Sequence, residues 1–542
     1  MTLHRSIIHK ITGDPKMSFF IVLLVMVVRF FQLQFYLDSF FDTSFQVIAT
    51  QNLVAGHGIS TAIVQPADLS NIIYQPLINW PPGYSLLLTP FYQATGGNHL
   101  MACFILEMLS TLSIILLCRK ILSLLAVEDP IINAFTLLTG FFIYYFYYTG
   151  STDSVSVAFF LAAINYILLL LQSAERIRSR ALIAGFLLLI SASLKYLFFP
   201  LVFLLPFFLL LYAVQNRNQL LRRAAWIMLF VTALGVGSLY VYQKMISGAG
   251  TYISASGRGF FPEHLLRAHP FIPGAFVTPN TIRKLPTAVS GNLLNGLRIL
   301  HLLLLIGLAV IALLAFLKKG FRAITIQQTF LYLALLIGLA INLELAALSL
   351  LVDKELIPPD RWWTYVEDAR YYGLGDVLVH LSVFMAFAYY RKKWSGSLKW
   401  LITLLPFLLL PEALRGLRFT VNRIQLTEKE SYYWKEEEKF FRYGQGIALQ
   451  KMKEKGTRQL VVTGSLYYGN YRASLKMEAP VMEDIYALNQ PDSLQCKEPV
   501  LILAMIKDDQ RKLFAGFISN PVTELAGVYN GFYFYTLYVS PR

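Results

Sequence analysis

Long apolar runs, each closed by a short charged connection, fill the first three quarters of this chain. They lie at about 17–36, 99–118, 131–148, 155–172, 181–194, 197–214, 224–243, 296–316, 328–352, 373–390 and 398–414. Runs of roughly 18 or more apolar residues are long enough to cross a hydrocarbon core of about 30 Å as helices. The segment 181–214 decides the topology, because basic residues bound it at 176–180 and again at 217–223. Two short helices broken around Ser193–Tyr196 would carry the chain across and back, leaving every basic cluster on one side. A single long tilted span, or a re-entrant pair, is the alternative. The double crossing predicts a polytopic α-helical membrane protein of about eleven spans, N-terminus inside and C-terminus outside.

The pattern changes after Leu414. A helical stretch at about 428–454 leads to a strand at Gln459–Thr463, a second at Val500–Ala504, and a polar helix near 508–517. Val522–Val539 reads as one or two strands with a Tyr-Asn-Gly turn at 529–531. The expected division is a membrane domain, 1–414, that includes an outer loop at 37–97, and a small α/β domain outside the membrane, 415–542. Within the loop, Ser44–Leu53 looks helical, Ala55–Gly58 is a stop, and Pro81–Tyr92 restarts a helix with proline in its first turn. No internal repeat or low-complexity tract is present.

Composition agrees with this class. Of 542 residues 56% are hydrophobic and only 15% charged, where a soluble protein carries about a quarter. The net charge of +15 would suggest nucleic acid in a soluble protein. Here the bases sit in the short connections: Arg119-Lys120, Arg176/Arg178/Arg180, Arg217/Arg222/Arg223, Lys318-Lys319/Arg322 and Arg391-Lys392-Lys393/Lys399. That is the positive-inside pattern, so no nucleic-acid partner is expected. Three cysteines are too few for a disulfide framework. The first apolar run has no small-residue cleavage site after it and does not read as a signal peptide.

Against those basic connections, the stretch from Leu37 to Gly97 contains no Lys or Arg. It carries Asp38 and Asp42 just past the first span, His57 between glycines, and Asn79-Trp-Pro-Pro-Gly-Tyr84. A carboxylate there is a candidate general base, able to take the proton of an acceptor hydroxyl. The ordered set of an acid, Ala49–Gly58 and Pro81–Leu88 resembles the first outer loop of GT-C membrane glycosyltransferases, such as protein O-mannosyltransferases and the aminoarabinose transferases that modify lipid A. Three later pieces follow the same order: Thr149–Asp153, Ser193–Tyr196 and Asp368–Tyr372. The resemblance spans roughly residues 17–400 and adds nothing in the C-terminal domain. It departs at Thr43, where the family often has a second acid.

The resemblance implies a GT-C-like fold and transfer of one sugar from a polyprenyl-phosphate donor to a lipid, glycan or protein acceptor at the outer membrane face. It maps the base to Asp42, with Asp38 as runner-up, and gives Asp153 a supporting catalytic role. An Asp at a helix start is equally an N-cap. Arg29, Lys195 and Arg370 are the candidate cations for the donor phosphate, which Arg grips bidentately and Lys as a point charge. Arg29 lies well inside an apolar run, where a charge is functional, paired or snorkelling. His57, Trp80, Tyr84 and Tyr371 are candidate substrate contacts; Trp362 and Trp363 could also stack on a sugar.

The absence of a Walker loop and of a dinucleotide-binding glycine motif disfavours a cytoplasmic nucleotide-sugar site. No cofactor is expected. His264 and His269, beside Glu263, lack zinc-helix spacing, and a divalent metal has no support in the sequence. The competing functions are a flippase for a lipid-linked glycan, which predicts repeats and midplane charges, and a non-catalytic scaffold, which leaves Arg29 and the acidic loop unexplained. Compact loops fit a bacterial inner membrane.

Overall fold

The structure, a computed structural model, describes residues 15–34, 41–78, 80–142, 152–173, 175–248, 269–278, 282, 286–320, 324–350, 369–391, 393, 396–425, 432–465 and 467–541. In chain order, α1 (Pro15–Gln34) opens with proline at its first position, where the missing amide is harmless. Next come α2 (Phe41–Val54), the hairpin β1 (Ser60–Gln65) and β2 (Asp68–Pro76), and α3 (Gly83–Ala94). Six helices follow: α4 (His99–Leu124), α5 (Asp129–Gly140), α6 (Thr152–Gln172), α7 (Ile177–Leu194), α8 (Phe198–Gln215) and α9 (Gln219–Ser247). After the short α10 (Phe271–Gly274) come α11 (Thr287–Lys319), α12 (Ile326–Leu350), and α13 (Gly373–Tyr390), which a 3₁₀ turn (Ala369–Tyr372) precedes. Then come α14 (Ser397–Leu404) and α15 (Leu410–Gln425). The last stretch holds α16 (Tyr432–Lys455), β3 (Gln459–Gly464), α17 (Tyr467–Met477), β4 (Val481–Met482), β5 (Val500–Lys507), α18 (Ala515–Ile518), β6 (Thr523–Tyr529) and β7 (Phe532–Val539).

The protein is a polytopic helical membrane protein with a C-terminal sheet region. Among the described residues nine helices are long and apolar enough to cross a membrane: α1, α4, α6–α9 and α11–α13. Two of the expected spans differ. The described part of 131–148 is α5, which stops at Gly140; residues 143–148 lie outside the described residues. The span expected at 398–414 is interrupted by a 3₁₀ turn at Leu405–Leu409. Pro406 and Pro411 each remove an amide donor there, which breaks the regular ladder. The decisive segment 181–214 is two helices, α7 and α8, interrupted where Lys195 takes an extended backbone.

The described chain divides into two compact units, and the division is not the one expected. One unit takes residues up to 35, 106–147 and 152–424; the other takes 36–105 and 425–542. The outer loop therefore belongs with the C-terminal region, whose boundary moves from 414/415 to 424/425. The physical reason is strand pairing. β1 runs parallel to β4, Ile63 opposite Val481 and Val64 opposite Met482, so the loop hairpin extends the sheet and covers an edge that would otherwise be open. The sheet has the order β2-β1-β4-β3-β5-β7-β6. β5 is apolar and buried at all but its last residue, as a central strand covered on both faces must be. Asn530 (φ 47°) and Gly531 (φ 75°) close the β6–β7 hairpin; the expected turn is there because positive φ at both positions favours Asn-Gly.

In the helical unit, a short non-spanning segment is fixed by side chains from three helices. His380 on α13 donates through Nε2 to the Ala275 carbonyl (2.7 Å). His301 on α11 accepts from the Ile272 amide (3.4 Å), and Glu412 on α15 accepts from the Thr278 amide (3.1 Å). Non-helical backbone inside a membrane protein needs such partners. The segment places Phe271 against Tyr372, ring centroids 5.6 Å apart, at the entry to α13.

Candidate active site

Asp153 is the second residue of α6, where unpaired helix amides favour an anion. Lys195, in the break between α7 and α8, forms an ion pair with it, both side chains largely buried. The Lys195 ammonium also stands 4.1 Å from the centre of the Tyr371 ring, a cation–π contact. Glu344 on α12 lies close enough to interact with the same charge. Three of the residues singled out from sequence, far apart in the chain, thus meet at one place.

The next residue on α6, Ser154, donates to Glu107 Oε2 on α4 (2.6 Å). Glu107 is 1% exposed and lies in the field of Arg29. Arg29, also 1% exposed, donates to Gln32 Oε1 (2.6 Å). Gln32 in turn donates to the Phe141 carbonyl (3.3 Å) and to Thr420 Oγ1 on α15 (3.0 Å). The Arg29 guanidinium is thus buried and held by Gln32 on its own helix. Burial of an ion is tolerable only with such pairing.

In the other unit, Asp42 is the second residue of α2; its side chain lies outside the described residues, as do the Arg370 side chain, Asp38, Trp362, Trp363, Glu263 and His264. Ser85 donates to the Gln46 carbonyl (3.0 Å), and Thr50 to the same carbonyl (2.8 Å) and to that of Ser85 (3.3 Å). Phe45, one turn on from Asp42, is buried between Trp80 (4.9 Å) and Tyr471 of α17 (4.0 Å). The Tyr471 hydroxyl donates to Glu483. Trp80 is half-buried and His57 is exposed, stacked on Tyr74 at 3.7 Å. Tyr84 is fully buried, with its hydroxyl on Cys103 Sγ. The Pro-Pro-Gly-Tyr run thus places a buried ring at the start of α3, in contact with α4.

Glu107, Glu344, Tyr471 and Glu483 escaped the sequence reading. For Glu107 and Glu344 the signal was available, since each is an acid within an apolar run, the argument applied to Arg29. For Tyr471 and Glu483 there was none. Among the described residues no three His, Cys, Asp or Glu side chains gather as around a metal ion.

No family model matches the chain, and no curated protein matches it. Among solved structures the chain is similar to ArnT from Cupriavidus metallidurans bound to undecaprenyl phosphate, at 12% identity and a TM-score of 0.46 over 96% of this chain and 97% of that one. It is also similar to the apo oligosaccharyltransferase of Archaeoglobus fulgidus, at 11% identity and a TM-score of 0.48 over 92% and 71%.

Proposed function

We propose that this protein is a membrane glycosyltransferase that moves a sugar from a polyprenyl-phosphate donor to a lipid, glycan or protein acceptor at the outer membrane face. The observation that carries this reading is the Asp153–Lys195 pair over Tyr371, at the first turn of a spanning helix. An ammonium held at a helix end beside a carboxylate suits an anionic headgroup whose tail remains in lipid. The ordered motifs of the outer loop point to the same donor class.

In this reading Asp42, or Asp38 in its place, takes the proton from the acceptor hydroxyl. The acceptor oxygen forms a bond to the anomeric carbon as the bond from that carbon to the phosphate oxygen breaks. The electron pair leaves with the polyprenyl phosphate, and a single displacement inverts the anomeric centre. Lys195 and Arg370 stabilise the departing phosphate, and Asp153 keeps Lys195 oriented. Arg29 acts from behind, through charge.

The test is transfer of labelled sugar from a synthetic polyprenyl-phosphate sugar by purified protein in liposomes. Asp42→Asn combined with Asp38→Asn should lower turnover by at least about a hundredfold, the low end of general-base contributions. Full activity in that double variant ends the base assignment.

A further inference from the structure

We infer that Glu107 is a positioning residue of this site, bonded from α4 to α6 and coupled by charge to Arg29 of α1, and thereby setting the helix turn that bears Asp153. The inference rests on the transfer reading for its activity arm, and on packing alone for its stability arm.

A carboxylate in the middle of a spanning helix is retained against a large desolvation penalty. Glu107 occupies such a place, flanked by Ile105-Leu106 and Met108-Leu109. Its two oxygens have different surroundings. Oε2 accepts from the Ser154 hydroxyl at 2.6 Å, while Oε1 takes no hydrogen bond among the described residues. The other interaction is with the charge of Arg29, whose guanidinium is steered by Gln32. Gln32 also reaches the end of α5 and Thr420 of α15. Glu107 thus bonds α4 to α6 in the field of an Arg29 that is held by a network spanning α1, α5 and α15. It meets α6 at the residue next to Asp153, the partner of Lys195. A small shift of that turn moves the carboxylate that orients the ammonium, and displacements of an ångström or so are enough to lower turnover strongly.

The experiment uses the full chain in liposomes and in detergent. Ser154→Ala removes the link and keeps both charges. Glu107→Gln keeps an acceptor for Ser154 and removes the charge. The expected result is a fall in kcat of about tenfold in each, with KM for the donor within about twofold, since neither residue touches substrate. Melting temperature should fall in Glu107→Gln and in Arg29→Gln, and the double variant should melt higher than the sum of the two losses, because paired charges couple. Unchanged kcat in Ser154→Ala and Glu107→Gln, with only the melting temperature lowered, overturns the positioning role. If the wild-type protein transfers no sugar, the transfer reading fails. The melting cycle then judges the linkage alone: coupling between Arg29 and Glu107 upholds it, and additive losses overturn it.

Discussion

The two carboxylates proposed for the chemistry occupy the same place in two different kinds of helix. Asp153 is the second residue of α6 and Asp42 the second residue of α2. Their supports differ completely. Around α6 the polar side chains reach charged partners on neighbouring spans, through Ser154–Glu107, Asp153–Lys195 and the Arg29–Gln32 network. Around α2 the buried polar side chains Thr50 and Ser85 bond to backbone carbonyls, and the ring cluster of Phe45, Trp80 and Tyr471 supplies the packing. The difference follows from the solvent. In a spanning bundle every lipid-like surface is equivalent, so fixed geometry comes from polar links. In the sheet unit burial of aromatic area against water does that work.

The comparison can be broken first at the ion pair. Lys195→Met removes a counter-ion of the largely buried Asp153, and should cost about 3 kcal/mol of stability in detergent and nearly all transfer. Asp153→Asn with Lys195→Met should recover much of the stability and none of the transfer. Recovery of both in the double variant would mean that the pair only holds the bundle.

In the sheet unit the corresponding cut is Tyr471→Ala, expected to cost about 3 kcal/mol as a lost buried ring. Tyr471→Phe keeps the ring, loses the Glu483 bond, and should cost about 1 kcal/mol. Equal losses in chemical unfolding would show that the hydroxyl, not the ring, supports α2.

Two glycines sharpen the contrast at smaller amplitude. A Cβ at Gly416 would lie 1.8 Å from the Phe141 carbonyl oxygen, and one at Gly464 (φ 141°) 2.1 Å from the Met505 carbonyl oxygen. Each alanine should destabilise by about 1–3 kcal/mol. Only Gly416→Ala should also disturb the Gln32 bridge beside Phe141 and lower transfer, and that is read from thermal unfolding with the activity assay.

The smallest effect belongs to Asp68 at the loop hairpin. The Ser70 hydroxyl, and then Lys497, hold its carboxyl below the usual carboxylate range. A lowered folded-state value stabilises above the unfolded value and is lost as pH falls through the folded one. Asp68→Asn should therefore melt slightly lower near neutral pH and like the wild type in strong acid. A difference that persists in acid would assign the effect to something other than the carboxylate's charge.

Much of the bundle was legible because spanning helices write themselves as long apolar runs. The break at Lys195 followed from charge on both flanking connections, and the Asn530-Gly531 turn from its positive φ requirement. The α4–α6 bond was less legible, although Glu107 stands out by the same reasoning that marked Arg29. The union of 37–97 with the C-terminal sheet was not legible. Thr61–Val64 and Ile72–Tyr74 flank a Pro66-Ala67 turn and have strand character, but nothing local tells β1 to pair with β4, more than four hundred residues away. The full burial of Tyr84 was not legible either, because a motif shows residue type and order, not burial.

The most direct measurement is single-turnover transfer from a polyprenyl-phosphate sugar in sealed liposomes, comparing the wild type with Asp42→Asn and Asp153→Asn. The account predicts turnover in the wild type, a loss of at least about a hundredfold in each variant, and an inverted anomeric centre in the product. Wild-type turnover with both variants fully active, or with retained configuration, would contradict it.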